Sequence, residues 1–332
     1  MNPTLLELTD AIKAGSGFDA ISTLKDFSGD VNGPLIHEWP PLMQAIFECN
    51  KGVAQRLIEK GAKLQITDQF GFTPLHLAVW VGNREIVKML LSKGANVHAL
   101  DRYGRTPLML ACKRGRRGVA LTLIQKGANV LDKDRFGRNM LMFAAWGGNK
   151  KLVERLWSDH EFSVYDADVY GWTALVFAIV ARSKSTMDFL VKQDAKLDVL
   201  DKQGWTPFFF AVSRGTPDII KTLVSLGSDV NASTPAGVTP LMLTIADDHI
   251  NHTRLLLRLG ANINHPTLPF GFTALMYAIA EGNLPMIRFL IKEGADVILQ
   301  SPMLGTTPLA IAKEKGDAKI IRFIEKEIAS KS

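Results

Sequence analysis

Cysteine is scarce in this sequence: Cys49 and Cys112 are the only two in 332 residues. That excludes a disulfide framework and a cysteine-based zinc site, and it fits a reducing compartment. Long apolar runs are missing as well. No stretch approaches the ~20 apolar residues that span a bilayer, so membrane insertion is not expected. Residues Met1 to Gly17 lack the layout of a secretory signal, with no basic start, no apolar block and acids at Glu7 and Asp10. No lipidation motif is visible. These absences predict a cytoplasmic protein, with nuclear import left open. Catalytic signatures are absent too: no G-x-x-x-x-G-K-S/T, no G-x-G-x-x-G, no H-E-x-x-H and no C-x-x-C. No enzyme activity, cofactor, metal site or catalytic residue is therefore expected. Asp247, Asp248, His249 and His252 come nearest to a metal cluster, but they fall in an inter-helix turn where polar residues are ordinary.

Charge is present but uneven. The chain carries a net +6, yet residues 101–155 hold thirteen Lys/Arg against four Asp/Glu, a local net of +9. The remainder sums to −3. The basic character thus belongs to one segment.

What the sequence has in quantity is repetition. Gly71-Phe72-Thr73-Pro74-Leu75-His76-Leu77-Ala78 recurs as Gly104-Arg105-Thr106-Pro107-Leu108-Met109-Leu110-Ala111. It returns at Gly204-Trp205-Thr206-Pro207 and Gly237-Val238-Thr239-Pro240-Leu241, with looser copies from Gly137, Gly171, Gly271 and Gly305. The threonine-equivalent positions advance by 33 or 34 residues each time. Such a period is the mark of stacked supersecondary units.

Local physics defines the unit. Thr73 is suited to an N-cap and Pro74 to the first helical position, which needs no amide hydrogen. Leu75, Leu77 and Ala78 then form a short apolar helix, which Gly82 ends. Ile86, Val87, Leu90 and Leu91 lie at helical spacing and form a second apolar stripe, which Gly94 stops. The following segment reads as a projecting turn or β-hairpin. Helices of two or three turns do not persist alone, so the units must stack. Small residues at Ala78, Ala111, Ala211 and Ala278 suit close packing between units.

The G-x-T-P-L opening and the later leucine-rich, glycine-alanine segment, as in Leu90-Leu91-Ser92-Lys93-Gly94-Ala95-Asn96-Val97, resemble the ankyrin repeat family over nearly the whole chain. The resemblance implies an all-α fold with short β-hairpin turns, a helical solenoid of about ten repeats. One domain over 1–332 is expected, with an N-terminal capping repeat at 1–38, eight internal repeats at 39–304 and a C-terminal capping repeat at 305–332. It also implies a monomeric, non-catalytic scaffold or adaptor that binds a protein or peptide on its concave face. His76 matches the family's Thr-Pro-Leu-His residue, which has a structural hydrogen-bonding role. Repeat five departs with Asn139-Met140 in place of Thr-Pro, and its second helix ends at Ser158-Asp159-His160 without glycine. Repeat six has Arg182 and Asp194 where glycines are usual. Residues 158–195 are either a place where the array bends or a tolerated variation.

In the family the contact surface is built from turn tips and the exposed end of each first helix. At the residue after the turn glycine stand Phe72, Arg105, Arg138, Trp172 and Trp205, among others. Just before the first helix ends stand Trp80, Lys113 and Trp146. The turn tips add Phe70, Tyr103, Phe136, Tyr170 and Phe270. Arg114 follows Lys113, and Arg102 and Arg135 lie in the basic turns. Aromatics next to the turn glycine can equally pack on the neighbouring turn, which is the plain reading of Trp172, Trp205 and Phe272. Trp157 falls at a core leucine position.

The predicted partner-binding set is Phe72, Trp80, Tyr103, Arg105, Lys113, Arg114, Phe136, Arg138, Trp146, Tyr170, Trp172 and Trp205. An aromatic, basic groove of this kind suits an extended segment with acidic and bulky apolar side chains, arginine forking onto carboxylate while tryptophan supplies buried area. The alternative is a single-stranded nucleic acid, which needs stacking platforms and a basic track. Lys113-Arg114-Gly115-Arg116-Arg117 reads as a solvated turn or as a short import signal.

Overall fold

In the computed structural model of the chain, residues 4–33 and 39–330 are described. The expected boundary at residue 38 lies outside them. The chain divides into two compact units, Met1–Val169 and Tyr170–Ser332. The division falls inside the segment 158–195 that lacks its usual glycines.

The first unit contains five helix pairs among its described residues. They are α1 (Leu5–Lys13) with α2 (Gly17–Asp26), α3 (Pro41–Phe47) with α4 (Lys51–Glu59), and α5 (Pro74–Val81) with α6 (Arg84–Ser92). α7 (Pro107–Lys113) with α8 (Arg117–Gln125) and α9 (Met140–Trp146) with α10 (Lys150–Asp159) complete it. First helices stack on first helices, α3 on α5, α5 on α7 and α7 on α9, while α6 packs on α8 behind them. Within this unit the fold is a helical-repeat solenoid.

The second unit repeats the arrangement with α11 (Ala174–Val180), α12 (Lys184–Lys192), α13 (Pro207–Arg214), α14 (Pro217–Ser225) and α15 (Pro240–Ala246). α16 (Ile250–Arg258), α17 (Ala274–Ala280), α18 (Leu284–Lys292), α19 (Pro308–Lys315) and α20 (Ala318–Ala329) follow. Its first helices α11, α13, α15, α17 and α19 stack in that order.

The caps explain why helices start where they do. Thr73 Oγ1 accepts the His76 amide, Thr106 Oγ1 the Met109 amide, and Asn139 Oδ1 the Met142 amide at 3.1 Å. Asn139 thus does the work of the missing Thr-Pro, and its Nδ2 donates to Asp166 Oδ2 at 2.8 Å. First helices inside a stack are buried on nearly every side because they lie between two others: in α5, between α3 and α7, Pro74 through Val79 are buried. The second helices bury one stripe. In α6 it is Ile86, Val87, Met89 and Leu90, so Met89 takes the place expected of Leu91, which is half-buried. Trp157, expected in the core, is also only half-buried. Ala78, Ala111, Ala211 and Ala278 are fully buried between units, as close stacking requires.

The connections are turns and not the β-hairpins that were expected. Each closes on one backbone pair, such as Asp101 N–H to Arg105 O at 3.0 Å, and an isolated bridge at Ala167 and Thr173 is the nearest approach to strand pairing among the described residues. Successive turns of the first unit are tied by backbone bonds: Arg102 N–H donates to Phe70 O and Arg135 N–H to Tyr103 O, both at 3.1 Å. Gly71 adopts φ +79°, and a Cβ there would press on the Arg102 amide nitrogen at 2.8 Å, so this close tie demands glycine. Arg182 and Asp194 nevertheless hold the left-handed positions of repeat six, with φ 56° and 68°.

Candidate partner-binding site

The turn aspartates organise the basic part of the site. Asp101 Oδ1 accepts the Tyr103 and Arg105 amides at 2.8 and 2.9 Å, which leaves Oδ2 for the Arg105 side chain, whose Nε donates at 2.7 Å. Asp134 repeats the pattern: Oδ1 accepts from Phe136 and Arg138, and Oδ2 receives Arg138 Nε at 2.8 Å and Nη2 at 2.5 Å. Both carboxylates are fully buried, and the arginine side chains are only 13% and 14% exposed. The sequence reading had these two arginines fork onto a partner's carboxylate. In the structure Arg105 Nε and Arg138 Nε and Nη2 already donate to a carboxylate of their own turn, which leaves only the other N–H groups of each fork for a partner. The D-x-x-x-R spacing at 101–105 and 134–138 was legible in the sequence but was not used.

So anchored, each guanidinium covers aromatic rings. Arg105 Cζ lies 4.8 Å from the Tyr103 ring centroid and 5.9 Å from Phe72, whose ring stacks on His76 at 5.6 Å. Arg138 Cζ lies 4.6 Å from Phe136, 5.3 Å from Phe143 and 5.5 Å from Trp146. Tyr103 and Phe136 approach each other at 6.5 Å.

The C-terminal end of α7 supplies the other two cations. Lys113 is its last residue and Arg114 its C-cap, a helix end that favours positive charge. Lys113 Nζ sits 3.6 Å above the Trp146 ring of the next repeat, while Arg114 Cζ lies 4.7 Å from the Trp80 ring of the preceding one. Gly147 makes the first contact feasible. A Cβ there would overlap the Cys112 carbonyl oxygen and crowd the Gly115 amide, so only glycine lets the ends of α7 and α9 come this close. Neither Lys113 nor Arg114 makes an ion pair among the described residues. Burial pushes the Lys113 ammonium down to about 8, and the nearby charges of Arg105, Arg138 and Arg114 add to the effect while Asp101 opposes it. Trp80 is 37% exposed and Tyr103 47% exposed. Phe72, Phe136 and Trp146 are half-buried.

The remaining predicted residues lie in the second unit. Tyr170 is exposed. Trp172 is half-buried, donates from Nε1 to Asp201 Oδ2 at 3.2 Å, and meets Phe210 edge-on at 4.8 Å and Phe177 at 5.7 Å. Trp205 packs against Phe210 at 5.3 Å and Phe209 at 5.7 Å. Trp172 is thus built into repeat-to-repeat packing, as the plain reading of that position expects, whereas Trp205 packs on the first helix of its own repeat. Nine of the twelve predicted residues therefore gather along the turns and first helices of the first unit, and three stand in the second.

The other polar clusters serve the fold. His252 Nδ1 is 3.0 Å from the Val212 carbonyl oxygen, and Asp248 Oδ1 accepts from Asn283 Nδ2 at 2.7 Å. Among the described residues, no group of three or more His, Cys, Asp or Glu is arranged to hold a metal ion. His76 is buried and neutral in character. Its Nδ1 accepts from the Thr73 amide at 3.3 Å, and Nε2 reaches the Arg105 carbonyl at 3.1 Å. Burial lowers its pKa. Cys112 is buried, which raises its thiol pKa, whereas Cys49 is exposed. Among the described residues, no helix is long and apolar enough to cross a membrane.

The family model for ankyrin repeats in three copies matches six overlapping windows, residues 8–101, 42–134, 128–201, 185–267, 209–301 and 265–331. Together they cover nearly the whole chain, which therefore belongs to the ankyrin repeat family. The family is in general one of protein–protein interaction modules. No individually curated protein matches the sequence.

Proposed function

We propose that the chain is a non-catalytic scaffold or adaptor whose first unit captures a protein partner by an extended segment with acidic and bulky apolar side chains. The carrying observation is the end of α7. There two cations without an internal counter-ion lie against tryptophans of the repeats on either side. Exposed Trp80 and Tyr103, beside Phe70, supply the apolar area that dominates binding energy. Arg105 and Arg138 hold the rings in place through guanidiniums anchored on Asp101 and Asp134, and Lys113 and Arg114 carry the excess positive charge.

The same observation argues against an oligonucleotide. Base stacking needs open ring faces. Here Trp80, Tyr103, Phe136 and Trp146 each carry a cation over a face.

Selection from a displayed random-peptide library tests the proposal. Peptides enriched on the wild-type chain should combine Asp or Glu with Leu, Phe or Trp, and the Trp80→Ala/Arg114→Ala variant should lose them while melting near wild type. Enrichment that is unchanged by the double substitution would show that capture occurs elsewhere.

A further inference from the structure

Within the α7 cluster the charges do not balance. Arg105, Lys113, Arg114 and Arg138 are four cations, and Asp101 and Asp134 are the two carboxylates that answer them. Two positive charges are left over, on Lys113 and Arg114, adjacent in the chain at one helix end. The donors do not balance either. Arg105 bonds Asp101 through Nε, and Arg138 bonds Asp134 through Nε and Nη2, so further N–H groups of both forks remain, and both arginines are near enough for their charges to act on Lys113, with Arg138 over the same Trp146 ring. Lys113 is held half-buried against Trp146 and makes no ion pair with a carboxylate among the described residues, although the Asp101 charge is felt there.

A single carboxylate would cancel one of the two charges and accept at two oxygens. A phosphate monoester carries close to two negative charges at neutral pH and three strong acceptor oxygens. It matches both the excess charge and the surplus of donors, and guanidinium forks suit its geometry. A phosphodiester carries one charge per phosphate and would match neither.

Resting on the reading that this face captures an extended protein segment, we propose that Lys113, with the spare donors of Arg105 and Arg138 and the charge of Arg114, forms a subsite for a phosphorylated side chain of the partner. Binding of the dianion favours the protonated lysine. Capture therefore weakens as the free amine deprotonates above about pH 8.

Two degenerate fluorescent peptide pools test this, matched in apolar content and carrying either phosphoserine or glutamate at the central position. They are titrated with the full chain at pH 7, alongside a single-stranded oligonucleotide. The phosphoserine pool should bind at least tenfold more tightly. Lys113→Met should erase that preference, and Lys113→Arg should keep it. Between pH 7 and pH 9 wild-type binding of the phosphoserine pool should fall, while that of Lys113→Arg stays level because arginine remains charged. Equal binding of both pools overturns the subsite and leaves the acidic-segment reading standing. A preference that survives Lys113→Met in a folded protein overturns the role of Lys113. Capture of neither pool, with or without capture of the oligonucleotide, overturns both proposals.

Discussion

The basic turns of the first unit, at Asp101 and Asp134, differ from the turns of the second unit at one atom, and the difference explains where the charge can go. In the first unit Asp101 and Asp134 each spend one carboxylate oxygen on two turn amides and the other on an arginine four residues later. In the second unit Asp201 uses Oδ1 in the same way for Gln203 and Trp205, but its Oδ2 receives the indole N–H of Trp172. Further along, Thr234 and Thr267 stand in its place, and their hydroxyls accept the Val238 and Phe272 amides at 3.2 and 3.0 Å. A hydroxyl closes the turn but has no second oxygen and no charge. Residue types at the next position follow: arginine beside the two aspartates that hold it, and Val238 or Phe272 beside threonine. A half-buried guanidinium is tolerable only where a carboxylate answers it.

The largest effect should come from removing that carboxylate. Asp134→Ala strands two turn amides and a half-buried guanidinium, and should cost about 3 kcal/mol. Thr234→Ala removes one hydrogen bond and should cost about 1 kcal/mol. Urea midpoints of the two variants give the comparison, and equal losses would break it. The tryptophans come next. Trp172→Ala should cost about 2 kcal/mol, because it empties an aromatic contact and orphans Asp201 Oδ2. Trp80→Ala should cost about 0.5 kcal/mol, as an exposed side chain away from the core. Thermal melts that reversed this order would show that Trp80 is a packing residue.

Smaller effects appear as pH dependence. Folded His76 has a pKa below its ordinary value, so on acidification below about 6.5 the unfolded chain takes up a proton that the folded chain refuses. Stability should fall in that window. Repeat four has Met109 at the equivalent place, with its sulfur 3.4 Å from the Thr106 amide nitrogen, so His76→Met should flatten the acid limb of the melting curve. Lys113 titrates on the other side. From about pH 8 up to its ordinary 10.5 the unfolded lysine keeps a proton that the folded one has lost, so its contribution to stability rises with pH across that range. Lys113→Met should remove this rise, which melts at pH 7.5 and 10 would read.

Much of this was legible in one dimension. The period of 33 or 34 residues, Thr73-Pro74 and Thr106-Pro107 as helix starts, and Gly82 at a helix end came straight from local chemistry. Asn139 as a substitute cap followed from its side-chain oxygen alone. The turns were over-read as hairpins because Gly and Asp signal a reversal but not the length of pairing around it. Trp172 and Trp205 shared a repeat position with Phe72 and Arg105, and no spacing rule separates an indole that donates to a buried carboxylate from a side chain left open. The internal anchoring of Arg105 and Arg138 was hidden for the same reason: D-x-x-x-R is visible, but whether Oδ2 points at the arginine depends on where the two turn amides have placed Oδ1.

The sequence by itself determined the repeat, the helix boundaries, the placement of the basic segment and membership of the ankyrin family, because each rests on interactions within some thirty residues or on a period that counting reveals. The tertiary structure alone decided which cations face which rings. Lys113 and Trp146 are a whole repeat apart in the chain, and only the close approach of α7 and α9 past Gly147 sets one upon the other. Desolvation and the nearness of like charges are sums over neighbours in space, so the proton affinity of that lysine could not be read from the letters beside it.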